Sequence, residues 1–273
     1  MFSAFCILPS AFLPAPQRPE TCALLPTRGI LASVFPTIPP PPRRLLVFAR
    51  LPQAGRVKTR LAAGIGNDKA LDVYRAMLRD VLDAVGPSDE QTEIEVLWAP
   101  VEDADGDSLR EAFGDRPLAM QTGASLGDRL AVSFSERFFF HRTDRIIAVG
   151  VDEPRLTRAL VEHAFELLES CEWVLGPTGD GGYYLIGCRG PSFNADVFRD
   201  IAWSTSSVFA ATVAKIRGWQ HTLAVLPQRR DIDVLEDLQH FANDCDDGSG
   251  SLAKLLQAWG WTPAPHAQGS EDS

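Results

Sequence analysis

The chain has 273 residues, a hydrophobic fraction of 45% and a formal net charge of -10, which suits one sizeable globular core and argues against a general nucleic-acid or membrane-surface binder. Its five cysteines (Cys6, Cys22, Cys171, Cys188, Cys245) are scattered with no C-x-x-C pair, so neither a zinc motif nor a disulfide framework is indicated, and a reducing, cytoplasmic location is expected. No apolar run reaches the length of about 18 residues that a membrane span needs.

Residues 1–42 carry half of the 20 prolines, end in Pro39-Pro40-Pro41-Pro42, and have Arg18, Glu20 and Arg28 as their only charges. Proline at this density blocks helix and sheet, so a disordered or polyproline-like extension is expected, or a start codon placed too early. A single catalytic domain is expected over 43–260, and a flexible tail over 261–273.

From Arg43 onward, strand and helix patterns alternate. Leu45–Ala49 is a short apolar run of the kind buried on both faces of a sheet. A glycine-containing basic loop follows over 53–66, and then a helix with Leu71, Tyr74, Leu78, Val81, Leu82 and Val85 at three- and four-residue spacings. Strands are predicted at Ile94–Trp98, Leu118–Gln121, Arg145–Gly150, Tyr183–Ile186 and Thr222–Leu226. Helices are predicted over Arg158–Ser170, capped by Thr157; through Ile216, capped by Thr205 or Ser206; and from Asp233 or Val234 to Phe241. Such alternation implies an α/β fold with a mostly parallel sheet and helices on both faces, whose ligands bind beyond the carboxyl ends of the strands.

Five segments carry pointed chemistry. The loop after the first strand holds Arg50, Arg56, Lys58 and Arg60 around Gly55; backbone N–H groups, arginine forks and a lysine suit a phosphate cradle, although a solvated basic loop has the same composition. It is neither a Walker A loop nor G-x-G-x-x-G. In Gln121–Arg129, Gly123 and Gly127 flank a capping Ser125; Gln121 can read a base edge and Arg129 can reach a phosphate, while an ordinary capped helix fits the spacing equally. Gly150-Val151-Asp152-Glu153-Pro154 places a carboxylate pair at a strand end, where a metal-bound nucleotide would sit or a helix would be capped. Asp231 and Asp233 share one face of an extended segment, and either can supply a second metal carboxylate; Asp233 with Glu236 also fits a capping box.

The fifth segment is Gly176–Gly187, where Asp180 stands beside Gly181 and Gly182 ahead of an apolar strand. A hairpin turn explains this pattern, and so does a backbone left open for the close approach of a ligand. Trp203 in Trp203-Ser204-Thr205 can wall the same pocket or fill a core position. The histidines show no metal spacing, and no G-x-S-x-G elbow is present.

In order and spacing, Phe48-Ala49-Arg50-x-Pro52-x-x-Gly55-x-Val57-Lys58-Thr59-Arg60-Leu61, Gln121-x-Gly123-x-x-Leu126-Gly127-x-Arg129, Gly150-x-Asp152-x-Pro154, the Gly176–Gly187 stretch, Trp203-Ser204-Thr205 and Asp231-x-Asp233-x-x-Glu236-Asp237-Leu238 resemble the bacterial DUF2064 transferases over about residues 44–241. Members of that family carry glycosyltransferase assignments, some tied to arsenosugar biosynthesis, and are related to the guanylyltransferases of molybdenum-cofactor and phospholactate synthesis. The resemblance implies a glycosyltransferase-A-like nucleotide-diphospho-sugar transferase fold and a divalent metal, Mg²⁺ or Mn²⁺. Three positions depart from the family pattern: Arg50 stands for a lysine, Val151 for a small, often hydroxylated residue, and Val234 for a threonine.

The combined expectation is a metal-dependent glycosyltransferase with a nucleotide-sugar donor and a small-molecule acceptor. Arg50, Gly55, Lys58, Arg60, Gln121, Gly123 and Arg129 are expected at the nucleotide and phosphates, and Asp152 and Asp233 at the metal. Asp180, Gly181, Gly182 and Trp203 are expected at the acceptor, with Asp180, Lys58 and Arg60 catalytic. A nucleotidyltransferase that releases pyrophosphate needs the same parts, and a non-catalytic nucleotide-binding module is the reading from another class.

Overall fold

The computed structural model describes residues 43–102, 104–141, 143–244 and 249–261. The expected N-terminal extension and all but the first residue of the expected tail lie outside them.

Strand β1 (Arg43–Ala49) starts the sheet. Leu45, Val47 and Ala49 fall in one apolar cluster and Leu46 in another, so the continuous apolar run is the signature of a strand covered on both faces. The chain then departs from the expected loop. Residues 59–65 form a short helix, α1 (Thr59–Ile65), before the long α2 (Asn67–Val85). Leu61 of α1 is fully buried against the far side of α2, where a third cluster forms. A helix of seven residues whose partner lies elsewhere in the chain has too little periodicity to be legible alone.

Strand β2 (Thr92–Trp98), helix α3 (Gly106–Phe113), strand β3 (Leu118–Met120) and helix α4 (Leu126–Phe139) follow. Ser125 caps α4 through a reciprocal pair with Asp128, as its spacing indicated. Strand β4 (Arg145–Val149) leads to α5 (Arg158–Ser170), which Thr157 caps at the predicted position. Strands β5 (Trp173–Pro177) and β6 (Tyr183–Arg189) form an antiparallel hairpin, so the hairpin reading of that glycine-rich stretch holds for its backbone.

Helix α6 (Val208–Gly218) has its cap position later than predicted, at Ser207, with no side-chain cap. Thr205 Oγ1 instead donates to Ala202 O at 2.6 Å, and the Gly181 carbonyl accepts from Phe209 N at 2.8 Å. The cap is therefore tertiary, supplied by the hairpin loop. Strand β7 (Leu223–Val225), helix α7 (Leu235–Asn243) and helix α8 (Ser251–Ala258) complete the elements. Asp80 of α2 caps α8 by accepting from Ser251 N and Leu252 N.

The seven strands run in the order β3-β2-β1-β4-β6-β5-β7, and β6 alone is antiparallel to its neighbours. The sheet is thus mostly parallel, as expected. Six strands end, and β6 begins, along one edge. Chain order reverses between β1 and β4, which opens a crevice at their carboxyl ends.

Candidate functional site

The segments with pointed chemistry meet at that edge. A cavity of about 790 Å³ is lined by Arg50, Lys58 and Arg60 from the loop after β1, Asp152 from the turn after β4, Asp180 from the hairpin, and Asp231 from the segment after β7. An adjoining crevice of about 590 Å³ shares Arg50, Tyr74, Asp152 and Trp203 with it.

Lys58 sits at the centre. Its backbone is left-handed (φ 47°) at the start of α1, which aims the side chain back into the site. The ammonium is almost wholly buried and lies 2.6 Å from Asp152 Oδ1, 2.9 Å from Asp233 Oδ1 and 2.5 Å from the Ile232 carbonyl oxygen. Burial would lower its pKa, but the two carboxylates outweigh burial and leave it raised. The predicted phosphate lysine and the predicted metal carboxylates are thus bonded to one another.

This arrangement also tests the site for a cation. Three oxygens converge on one point, and an all-oxygen donor set suits Mg²⁺ or Mn²⁺, which take one or two carboxylates beside phosphate oxygens. Among the described residues no cluster of three or more acidic, histidine or cysteine side chains is placed as a metal site. Asp152 and Asp233 therefore fit a cation shared with a ligand, in exchange for the lysine.

The remaining cations are freer. Arg50 and Arg56 have no carboxylate partner among the described residues, and the exposed Arg60 approaches Asp233 at 3.5 Å. The Arg50 backbone is clamped by Tyr74, whose hydroxyl accepts from Arg50 N at 2.7 Å and donates to Arg50 O at 3.0 Å. Tyr74 belonged to the apolar stripe of its helix, and nothing in that spacing marked it as a support for the loop. Gly55, with φ 73°, makes the turn closed by Arg56 N donating to Gln53 O, and it does not line the cavity.

Two expected ligand contacts are used internally. Gln121 is buried, and its Nε2 donates to Leu97 O at 2.6 Å and Ala49 O at 3.2 Å; with both amide hydrogens engaged it ties strand ends together rather than offering them to a base. Arg129 folds back to donate to Gly123 O and Gln121 Oε1. A Cβ on Gly123 would lie 2.6 Å from the Cβ of Asp128, so that glycine lets the loop close onto α4.

Asp152 faces the cavity, whereas Glu153 turns into the core beside Arg229 at 3.7 Å, with its pKa raised by burial. The pair is thus split between one carboxylate facing the cavity and one in the core, and Thr157 rather than Asp152 caps the next helix. Val151 is buried, belonging both to the core and to the lining of the adjoining crevice. Asp237, not Glu236, caps α7 by accepting from Asp233 N and Val234 N at 3.1 Å each, which leaves the Asp233 carboxylate to Lys58.

At the hairpin, Asp180 Oδ1 accepts from Thr178 Oγ1 at 2.5 Å and Gly182 N at 2.9 Å, which turns the loop and leaves Oδ2 open. Gly182 lines the cavity. Gly181 does not offer its backbone to a ligand: with φ 90°, its Cβ position falls 2.1 Å from Ser206 O. The close approach that its glycine permits is to the 204–207 loop. Trp203 is half-buried, edge-on to Tyr183 at 6.3 Å and packed on Gly127, so it both fills a layer and walls the cavity.

Asp231 was an alternative in the sequence and proves central. Thr178 and Arg229 bridge as parallel partners, which carries the pairing of β5 and β7 past the strand ends and sets Asp231 beside Asp180. Burial, then the charges of Asp180, Asp233 and Asp152, push its pKa up to about 6.

The topology and the ligand edge define a nucleotide-diphospho-sugar transferase fold. A protein from Desulfovibrio desulfuricans G20, provisionally named a nucleotide-diphospho-sugar transferase, is 31% identical, with 79% of this chain and 94% of that one covered at a TM-score of 0.75. The family described as uncharacterized protein conserved in bacteria (DUF2064) matches residues 83–205. This chain belongs to the DUF2064 family. More distant solved structures include a cytidylyltransferase from Leptospira borgpetersenii (12% identity, 79% and 92% covered, TM-score 0.46) and the inositol-1-phosphate CTP transferase from T. maritima (12%, 81% and 98%, TM-score 0.44). No curated protein matches significantly. No described helix is long and apolar enough to cross a membrane.

Proposed function

We propose that this protein is a metal-dependent glycosyltransferase that takes a nucleotide-activated sugar. The observation that carries the reading is the pairing, at one sheet switch point, of the unpartnered Arg50 and Arg56 with the Asp152–Lys58–Asp233 cluster. Arginine forks bind a diphosphate bidentately. Asp152 and Asp233 would hold Mg²⁺ or Mn²⁺, which supplies charge neutralisation on the leaving diphosphate. Lys58, released from the carboxylates, stays within reach of the same phosphates. The acceptor hydroxyl oxygen forms a bond to the anomeric carbon while the carbon–oxygen bond to the diphosphate breaks. The bonding pair leaves with the nucleoside diphosphate, and the hydroxyl proton passes to the open oxygen of Asp180, a general-base role.

The test is thermal stability of the full chain with nucleotide sugars and nucleoside triphosphates, each with Mg²⁺ or Mn²⁺. A ligand at 100 times its dissociation constant adds about 2.7 kcal/mol. A metal-dependent shift that Asp152→Ala abolishes is the expected result; no shift from any nucleotide sinks the proposal. Release of pyrophosphate in place of a nucleoside diphosphate would convert it to nucleotidyl transfer, which needs the same fold and cations. Binding without turnover over a broad acceptor panel would leave a nucleotide-binding module.

A further inference from the structure

Arg50 stands at a junction. It lines the main cavity, the adjoining crevice and a third hollow of about 250 Å³ that it shares with Arg56. Ala49 and Leu51 on either side of it are buried in the same apolar cluster as Tyr74, so alternation along the chain turns the Arg50 side chain outward, where it is exposed. Strand β1 has already ended at Ala49. The Arg50 main chain is nevertheless held at both of its polar groups by one atom, the Tyr74 hydroxyl, through the 2.7 Å and 3.0 Å bonds described above. Tyr74 is 3% exposed on α2, and burial raises its pKa above the ordinary tyrosine value, so the hydroxyl keeps the proton it donates.

We infer that Tyr74 is a positioning residue of the diphosphate site and acts through Arg50: its hydroxyl fixes the main chain from which the guanidinium reaches into the cavity. This deepens the transferase proposal and rests on it. A guanidinium binds a diphosphate through two parallel N–H bonds, so its direction matters as much as its charge. No carboxylate among the described residues holds the Arg50 guanidinium in place, so the main chain is its fixed point. Freeing that main chain lets the guanidinium sample more positions, all of which must be given up on binding; a preorganised base removes that cost. The Tyr74 ring packs in its apolar cluster with or without the hydroxyl, so Tyr74→Phe separates packing from positioning.

The experiment titrates pyrophosphate with Mg²⁺, a diphosphate without base or sugar, into the full chain by calorimetry, with a melting curve on every sample. Tyr74→Phe is expected to weaken binding about fivefold. The discriminating arm is a double-mutant cycle. In an Arg50→Ala background the same substitution should cost less than about twofold, whereas in an Arg56→Ala background it should still cost about fivefold. A Tyr74→Phe chain that melts lower but binds pyrophosphate with native affinity overturns the inference, because the hydroxyl then serves the fold alone. An undiminished loss in the Arg50→Ala background overturns it too, because the effect then does not pass through Arg50. If the native chain itself binds no pyrophosphate, the transferase proposal falls and this inference falls with it.

Discussion

The ammonium of Lys58 holds together two carboxylates that would otherwise repel across the mouth of the site. Its side chain is 5% exposed, while Asp152 is half exposed. Lys58→Met is therefore expected to cost about 2 kcal/mol in chelator, below the 3–5 kcal/mol of a fully buried pair, with Mn²⁺ recovering more stability than in the native chain. Melting curves with and without Mn²⁺ check this; equal responses in both proteins would refute the exchange of lysine for metal. Asp231 gives a pH-dependent counterpart. Its folded pKa, about 6, lies above the ordinary aspartate value of 3.8. The folded state thus holds a proton that the unfolded chain releases, so the site loses stability as pH rises from about 4 to 6 and the cost persists above. Asp231→Asn should stabilise by about 1 kcal/mol at pH 7.5 in chelator, after allowance for partial solvent access, with no gain below pH 4. A gain of equal size at both pH values would show that charge is not the cause.

The hairpin of β5 and β6 couples strand pairing to the start of α6. Gly181 lies at φ 90° with its Cβ position 2.1 Å from the Ser206 carbonyl, and its own carbonyl caps the helix. Gly181→Ala pays both the strain of that conformation and a backbone clash, and is expected to destabilise by about 3 kcal/mol, more than an open positive-φ glycine would. Denaturant unfolding measures it. The same substitution at Gly66, which also has positive φ but has nothing within 4 Å of a Cβ, is the control and should cost less. The hydrogen bond from Phe209 N to Gly181 O explains why no serine or threonine was needed as the helix cap, and why reading Thr205 or Ser206 as the cap placed the start of α6 too early.

Across the whole molecule, the sheet reversal between β1 and β4 gathers charge from loops far apart in the chain, 175 residues in the case of Lys58 and Asp233. Arginines that stabilise a fold are commonly paired; among the described residues Arg50 and Arg56 have no carboxylate partner. Arg50→Ala and Arg56→Ala should each weaken nucleotide binding by about tenfold while leaving unfolding free energy within about 0.5 kcal/mol of the native value. Calorimetric titration and thermal melts on the same samples separate the two effects. A loss of stability without loss of affinity would assign these side chains to the fold instead.

The long amphipathic α2, the doubly buried β1 and β4, and the caps at Ser125 and Thr157 were legible because each is set by residues within a few positions of one another, where period and capping chemistry act locally. The clustering of basic and acidic residues just past strand ends likewise marked the edge where these segments meet around one cavity. The sequence could not assign partners. Lys58 turned out to face Asp152 and Asp233, Gln121 was consumed by strand ends, Glu153 went to the core, and Gly181 opened to Ser206 rather than to a ligand. Each of those outcomes depends on groups tens of residues distant competing for one donor or one space. Only the packed sheet brings them close enough for Coulomb attraction and steric contact to choose.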